Sequence, residues 1–276
     1  MRTPRLAGMG LGLMAATALA VAGCTTDGDT TPGGTASSTP SASVSSGAAD
    51  PAATAALSSA AAQLGNTSFK ITMTSGTTLS LTGLMDAPNG IGTGTLDLKG
   101  TNTAVQVKTL LVGQDLYVQV PGVTKADTWT HIDVERLPEG ANVGLRPGQV
   151  DPANTQRLLS ATTDVQQVDA RSYRGTLDLT KVAGVTGVDR ATVDTWGTAA
   201  QSVPFTAGLD EQGRLSELTV QLPAVGGQQA QPLEVLYTDY GTTVTAVKPA
   251  ADKVIEAPES LYTTLGGGAQ PSATPS

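Results

Sequence analysis

Val203-Pro204-Phe205-Thr206-Ala207-Gly208-Leu209-Asp210-Glu211-Gln212-Gly213-Arg214-Leu215-Ser216-Glu217-Leu218-Thr219-Val220-Gln221-Leu222 carries the plainest structural signal in this chain of 276 residues. Val203, Phe205, Ala207 and Leu209 fall on alternate positions, and Leu218, Val220 and Leu222 alternate again on the return. Between them, Asp210 opens and Gly213 closes a four-residue turn, the composition of a type I turn followed by a bulge. A period of two with polar residues between describes strands that bury one face only, so the stretch predicts an antiparallel hairpin.

The same period recurs in both directions. Phe69, Ile71 and Met73 alternate with Lys70, Thr72 and Thr74, and Leu79 and Leu81 follow after a turn at Gly76. Leu96 and Leu98 flank Asp97, Val105 and Val107 flank Gln106, and Leu116, Val118 and Val120 alternate with Tyr117 and Gln119. Tyr173 to Leu179, Pro232 to Tyr240 and Thr242 to Val247 read as further strands. Two helices interrupt the series. Asp50 can cap a first helix whose Pro51 suits the opening position and whose end is marked by Gly65. Leu57 and Leu64 give it a thin apolar stripe. The second covers Asp151 to Ala161, and Thr180 to Trp196 reads as a loop with a helical stretch. The expected fold is therefore α+β: one curved antiparallel sheet of about ten strands, a half-barrel, with a few helices covering its concave face. GTLDL occurs at Gly94–Leu98 and Gly175–Leu179, and Asp-Thr-Trp at Asp127–Trp129 and Asp194–Trp196. The two separations disagree, so no duplication follows from them.

Before this domain lies a segment of another kind. Arg2 and Arg5 precede an uncharged apolar run from Leu6 to Ala22, which ends in Val21-Ala22-Gly23-Cys24. A short basic region, a short apolar region and a small-residue exit are the marks of a secretory signal peptide. The densest part, Leu11 to Ala22, would span about 18 Å as a helix, well short of a hydrocarbon core of about 30 Å. Val21–Cys24 resembles the bacterial lipobox, which implies a cleaved leader and a diacylglycerol on the Cys24 sulfur. An ordinary leader with an isolated cysteine, or an uncleaved anchor, is the alternative. No second cysteine exists for an intrachain disulfide. Thr25 to Asp50 is Thr, Ser, Gly, Ala and Pro with little to bury, a tether reaching about 25–30 Å by the random-coil relation. The layout expected is a leader over 1–23, the lipidated cysteine and tether over 24–50, the domain over 51–262, and a disordered tail over 263–276.

Loss of Arg2 and Arg5 with the leader leaves 14 of the 16 basic residues against 24 acidic ones, a net charge of −10. Non-specific nucleic-acid binding needs the opposite sign. Acyl chains rather than a basic patch must then hold the chain to the extracytoplasmic face of the plasma membrane.

Residues with catalytic promise are few. His131, the single histidine, would share a strand face with Asp133, and two ligands from one strand do not make a metal site. It reads as a solvent-facing residue without partners. No Gly-x-Ser-x-Gly occurs, and Gly90-Ile91-Gly92-Thr93-Gly94 opens a strand, whereas a phosphate loop opens a helix. The expectation is no enzyme, no metal and no cofactor. The covering material for a wide sheet is small-sided, which leaves two outcomes: a tightly closed core, or a partly filled apolar pocket able to take acyl chains. Ile71, Met73, Leu81, Val107, Val118, Phe205 and Val220 are the candidate lipid-binding wall residues, since their alternate positions should face inward.

The lipobox and tether, the first helix leading to Phe69–Met73, the strand Tyr173-Arg174-Gly175-Thr176-Leu177-Asp178 and the Val203–Leu215 hairpin together resemble the LppX/LprA-LprF-LprG family of actinobacterial lipoproteins. The likeness covers about Asp50 to Tyr262. It implies a fold similar to the periplasmic carrier LolA and a membrane-tethered carrier of lipids or lipoglycans, with a membrane transporter as a further partner. Only the lipidated Cys24 carries over as a functional residue. The competing classes are an envelope sensor or interaction lipoprotein of the same fold without cargo, and a structural lipoprotein with a dry core.

Overall fold

In the computed structural model the described residues are 49–100, 104–122, 125, 127–137, 145–146, 149–182, 190–224 and 230–265. The expected leader, Cys24 and most of the expected tether, and residues 266–276 of the expected tail, lie outside them.

The hairpin forms as its sequence requires. Strand β11 (Val203–Leu209) pairs with β12 (Leu215–Gln221), and the Gly213 N–H donates to the Asp210 carbonyl at 3.1 Å. Gly213 has φ +74°, a value that glycine adopts without a Cβ penalty, and the register slips between Gly208 and Leu209, the bulge that such a turn imposes. Nine other strands continue the sheet on either side: β1 (Ser68–Ser75), β2 (Leu79–Asp86), β3 (Ile91–Lys99), β4 (Ala104–Val112), β5 (Asp115–Gln119), β6 (Trp129–Asp133), β9 (Thr162–Gln167), β10 (Ser172–Leu177) and β13 (Pro232–Thr238). Strands β7 (Leu145–Arg146) and β8 (Gln149–Val150) make a separate small ribbon. With the edge strand β14 (Val254–Glu256), the main sheet has twelve strands in the order β14-β6-β5-β4-β3-β2-β1-β13-β12-β11-β10-β9.

Two meanders thus meet at one seam. The first runs outward from β1 to β6, the second inward from β9 to β13, and β13 lies antiparallel to β1, with Ile71 opposite Tyr237 and Met73 opposite Val235. The result is a large, curved, mostly antiparallel sheet with few helices. It exceeds the expected ten strands, and it is not wholly antiparallel, because β14 runs parallel to β6.

Helix α1 (Pro51–Gln63) starts where its cap predicts, with the Ala52 N–H donating to Asp50 Oδ1 at 2.9 Å. Ala53, Leu57, Ala60, Ala61 and Leu64 are buried, an i, i+4, i+7 stripe packed on β9 and β12. The helix tightens into a 3-10 turn at Leu64–Asn66 instead of ending on a left-handed Gly65. The second helix is shorter than expected: α2 is Thr155–Leu159, because Asn154 sits at φ +50° and the Asp151 carboxylate takes the backbone N–H groups of Ala153 and Thr155. The strand expected over Tyr173–Leu179 ends at Leu177, a 3-10 turn at Leu179–Lys181 leads into the Thr180–Trp196 segment, and α3 (Arg190–Trp196) closes it. Helix α4 (Glu259–Leu265) straddles the boundary placed at 262.

Thr242 to Val247 is not a strand. Positive φ at Asp239 and Gly241 turns the chain out of the sheet, and both edges of β13 are already taken by β1 and β12. The segment is held instead at the start of β1, where the Gly241 N–H donates to the Ser68 carbonyl at 2.9 Å and Ser68 Oγ to the Thr242 carbonyl at 2.6 Å.

Candidate functional site

Cross-strand partners share a sheet face, so the pairing register traces rows of side chains across the molecule. One row runs Tyr173, Ala207, Leu218, Val235, Met73, Leu81, Leu96, Val107, from β10 to β4. The next runs Val165, Gly175, Phe205, Val220, Leu233, Ser75, Leu79, Leu98, Val105, from β9 to β4. A third joins Tyr237, Ile71, Gly83, Gly94, Thr109, Val118 and Thr130. All seven candidate wall residues therefore stand on one face, the face on which α1 packs.

Burial along these rows is graded. Tyr173, Ala207, Leu218, Val235 and Met73 are buried, as are Val165, Phe205, Val220 and Leu233. Past the seam the same rows open: Leu79, Leu81, Leu96, Val105 and Val107 are half-buried and Leu98 is 39% exposed. Ile71, Met73, Phe205 and Val220 accordingly sit in the packed core, while Leu81 and Val118 lie at its margin and Val107 beyond it. Leu96, Leu98 and Val105 belong with Val107 to the open stretch, and Leu79 lies at the margin with Leu81. Their alternation was legible, but their exposure depends on where α1 stops covering the sheet.

At the glycines of the third row, neighbours close over the backbone. A Cβ at Gly83 would come within 2.8 Å of the Thr93 carbonyl and one at Gly94 within 2.7 Å of Thr109 Oγ1. The opposite face carries a cavity of about 470 Å³ bordered by Lys70, Thr82, Leu84, Thr93, Thr95 and Asp239. Its border mixes threonine hydroxyls and the charges of Lys70 and Asp239 with the Leu84 side chain, and none of the seven candidate wall residues lines it.

His131 is not the solvent-facing, partnerless residue expected of it. It stands on the sheet face opposite the apolar rows, with 17% of its side chain exposed. Its Nε2 lies 2.7 Å from Asp115 Oδ1 and its Nδ1 2.8 Å from Glu256 Oε2. Lys248 pairs with the other oxygen of Asp115, and the Tyr117 ring lies beneath the imidazole at a centroid distance of 5.2 Å. Burial lowers the imidazole's pKa, but the hydrogen bonds to Glu256 and Asp115 raise it by more, so it lies above the ordinary histidine value. The Lys248 ammonium, helped by His131, holds Asp115 below the usual carboxylate range against its partial burial. Burial, then the Asp115 charge, pushes Tyr117 upward. With each ring nitrogen turned to one carboxylate, the cluster has no shared point for a cation, and among the described residues no group of three or more His, Cys, Asp or Glu is arranged to hold a metal. Val254-Ile255-Glu256 was findable as a short β-branched run. Its pairing with β6, which brings Glu256 to His131, was not.

No protein-family model matches the chain, and no curated protein matches it. Among the described residues no helix is long and apolar enough to cross a membrane.

Proposed function

We propose that this chain is an extracytoplasmic lipoprotein, anchored through acylated Cys24, that takes the acyl chains of a lipid or lipoglycan on the open apolar stretch of β2, β3 and β4 in a LolA-like half-barrel. The observation that supports the reading is the graded burial of two rows, apolar but for Gly175 and Ser75, packed on one side of the β1–β13 seam and, past Leu79 and Leu81 at the margin, open over Leu96, Leu98, Val105 and Val107 on the other. Apolar surface left in water costs roughly 25 cal/mol per Å², so a surface of this kind favours a non-directional apolar ligand. Branched aliphatic side chains without hydrogen-bonding groups select for length and shape of hydrocarbon, not for headgroup. The headgroup would be met at the rim, and a membrane transporter is the class of partner that would deliver or receive such cargo.

Val107→Trp tests the reading. The extra ring has room at a half-buried position, so the melting temperature should hold while affinity for a fluorescent acyl probe falls at least tenfold. Unchanged probe affinity with the tryptophan in place would defeat the proposal. Native mass spectrometry of the chain purified from its own host provides a second reading, in which bound lipid is the expected result.

A further inference from the structure

The segment from β14 into α4 is fastened to β6 by contacts of two kinds. One kind is independent of protonation near neutrality: the parallel register Val254–Trp129, Ile255–Thr130 and Glu256–His131, the Ala257 N–H donating to the His131 carbonyl at 2.9 Å, and the Asp133 N–H donating to Tyr262 Oη at 3.0 Å. Arg136 adds an ion pair to Glu259 at 2.6 Å and lies 4.2 Å over the Tyr262 ring. The other kind is the charge chain Lys248–Asp115–His131–Glu256, in which a cation and an anion alternate only when the imidazole is protonated.

We propose that residues 254–262 form a pH-gated strap, held against β6 by protonated His131 and released when that proton is lost. Without the proton His131 can donate from only one ring nitrogen, so one of its two carboxylates is left facing a lone pair. The groups around the imidazole leave no substitute. Asp115 and Tyr117 face it from β5, Glu256 faces it from β14, and Lys248, from the segment after β13, is already committed to Asp115. On the same strand, Asp133 accepts the Glu135 N–H at 2.9 Å. The ladder, Tyr262 and Arg136 contacts remain when the proton is lost, and in an edge strand of three residues the loss of the charge chain is enough to shift them toward opening. Release would uncover the edge of β6 and the seat of Tyr262, which is 3% exposed in the closed strap.

The direction follows from linkage. The folded value of His131 is raised, so its contribution is complete below the unfolded value of about 6.5 and is lost as pH climbs through the raised one. Asp115 is lowered, so its contribution holds above the unfolded value of about 3.9 and is lost as pH falls through the lowered one. The strap is firmest between the two. This inference does not depend on lipid binding.

Hydrogen exchange of the full chain, read on peptides covering 254–263 at pH about 5.5 and about 8.5 and corrected for intrinsic rates, tests it. Protection of the strap should be at least about fivefold greater at the lower pH, while the β11–β12 hairpin changes little. In His131→Gln and in Glu256→Gln the strap's pH dependence should vanish. Equal strap protection at both pH values in the parent chain overturns the proposal, as does a pH-dependent loss that persists in both variants. Hairpin protection identifies a variant that has lost its fold, in which case the other variant and the parent chain decide.

Discussion

The phenol hydroxyl of Tyr237 donates to the carboxylate of Asp151 at 3.0 Å across 86 residues of chain, with both groups buried. Tyr237 sits on β13 opposite Ile71 of β1, at the seam between the two meanders, and Asp151 organises the turn into α2. Thr155 Oγ1 lies 2.5 Å from the same phenol oxygen. One buried polar knot therefore ties the covering helix to the junction of the sheet. Burial raises both pKa values, the carboxyl's above the usual range and the phenol's well above it.

Asp151→Ala should cost roughly 2–5 kcal/mol, because it leaves the N–H groups of Ala153 and Thr155 and the Tyr237 hydroxyl without their acceptor. Tyr237→Phe should cost about 1 kcal/mol, since it removes one hydroxyl and leaves the two backbone bonds in place. Urea unfolding of the two variants measures the gap. Equal costs would mean the knot is not organised around Asp151.

The two GTLDL strings open with glycines that have different reasons to be small. A Cβ on Gly175 would lie 2.0 Å from the Asp164 carbonyl of β9, a backbone atom that cannot swing aside, and 2.8 Å from Phe205. A Cβ on Gly94 meets Thr109 Oγ1 at 2.7 Å, and a threonine side chain can rotate. Gly175→Ala should destabilise by about 1–3 kcal/mol or more, and Gly94→Ala by under about 1 kcal/mol. Thermal melting of the pair, compared side by side, would refute this if the order were reversed.

Leu57 is the largest apolar side chain that α1 buries against the sheet, at 1% exposure. Leu57→Ala should cost roughly 2–5 kcal/mol, the usual range for a cavity at a site that cannot collapse. A loss under about 1 kcal/mol in denaturant titration would show that α1 is only loosely docked.

Cys24→Ser should leave a folded chain that no longer sediments with membranes. The motive is the sequence after Gly23, which offers no other apolar run of anchoring length. Salt-washed fractions probed for the chain provide the test, and a variant retained by the membrane would reveal a second anchor.

Much of this architecture was written locally. Alternation fixed which residues of β1, β5, β11 and β12 face inward, because a period of two admits only two faces. Asp50 with Pro51 set the start of α1, and Asp210 with Gly213 set the hairpin turn, since backbone N–H groups and a positive φ are satisfied within a few residues. The candidate wall was legible to the same depth: Ile71, Met73, Leu81, Val107, Val118, Phe205 and Val220 do share a face. Which of them would be packed and which left open was not, because burial depends on how far α1 and its neighbours extend over the sheet.

Tertiary structure alone decided the rest. The meeting of β13 with β1 joins residues about 165 positions apart in pairs such as Met73–Val235, and no local pattern names that partner. It also closed the edges that Thr242–Val247 would have needed to become a strand. His131 carried the signature of an idle surface residue, yet Asp115, 16 residues away, and Glu256, 125 residues away, converge on its two nitrogens. Local sequence sets what each segment can form, through steric and capping forces that act over a few residues. Partners distant in the chain are chosen by the apolar area and paired charge that become available only when the whole sheet assembles.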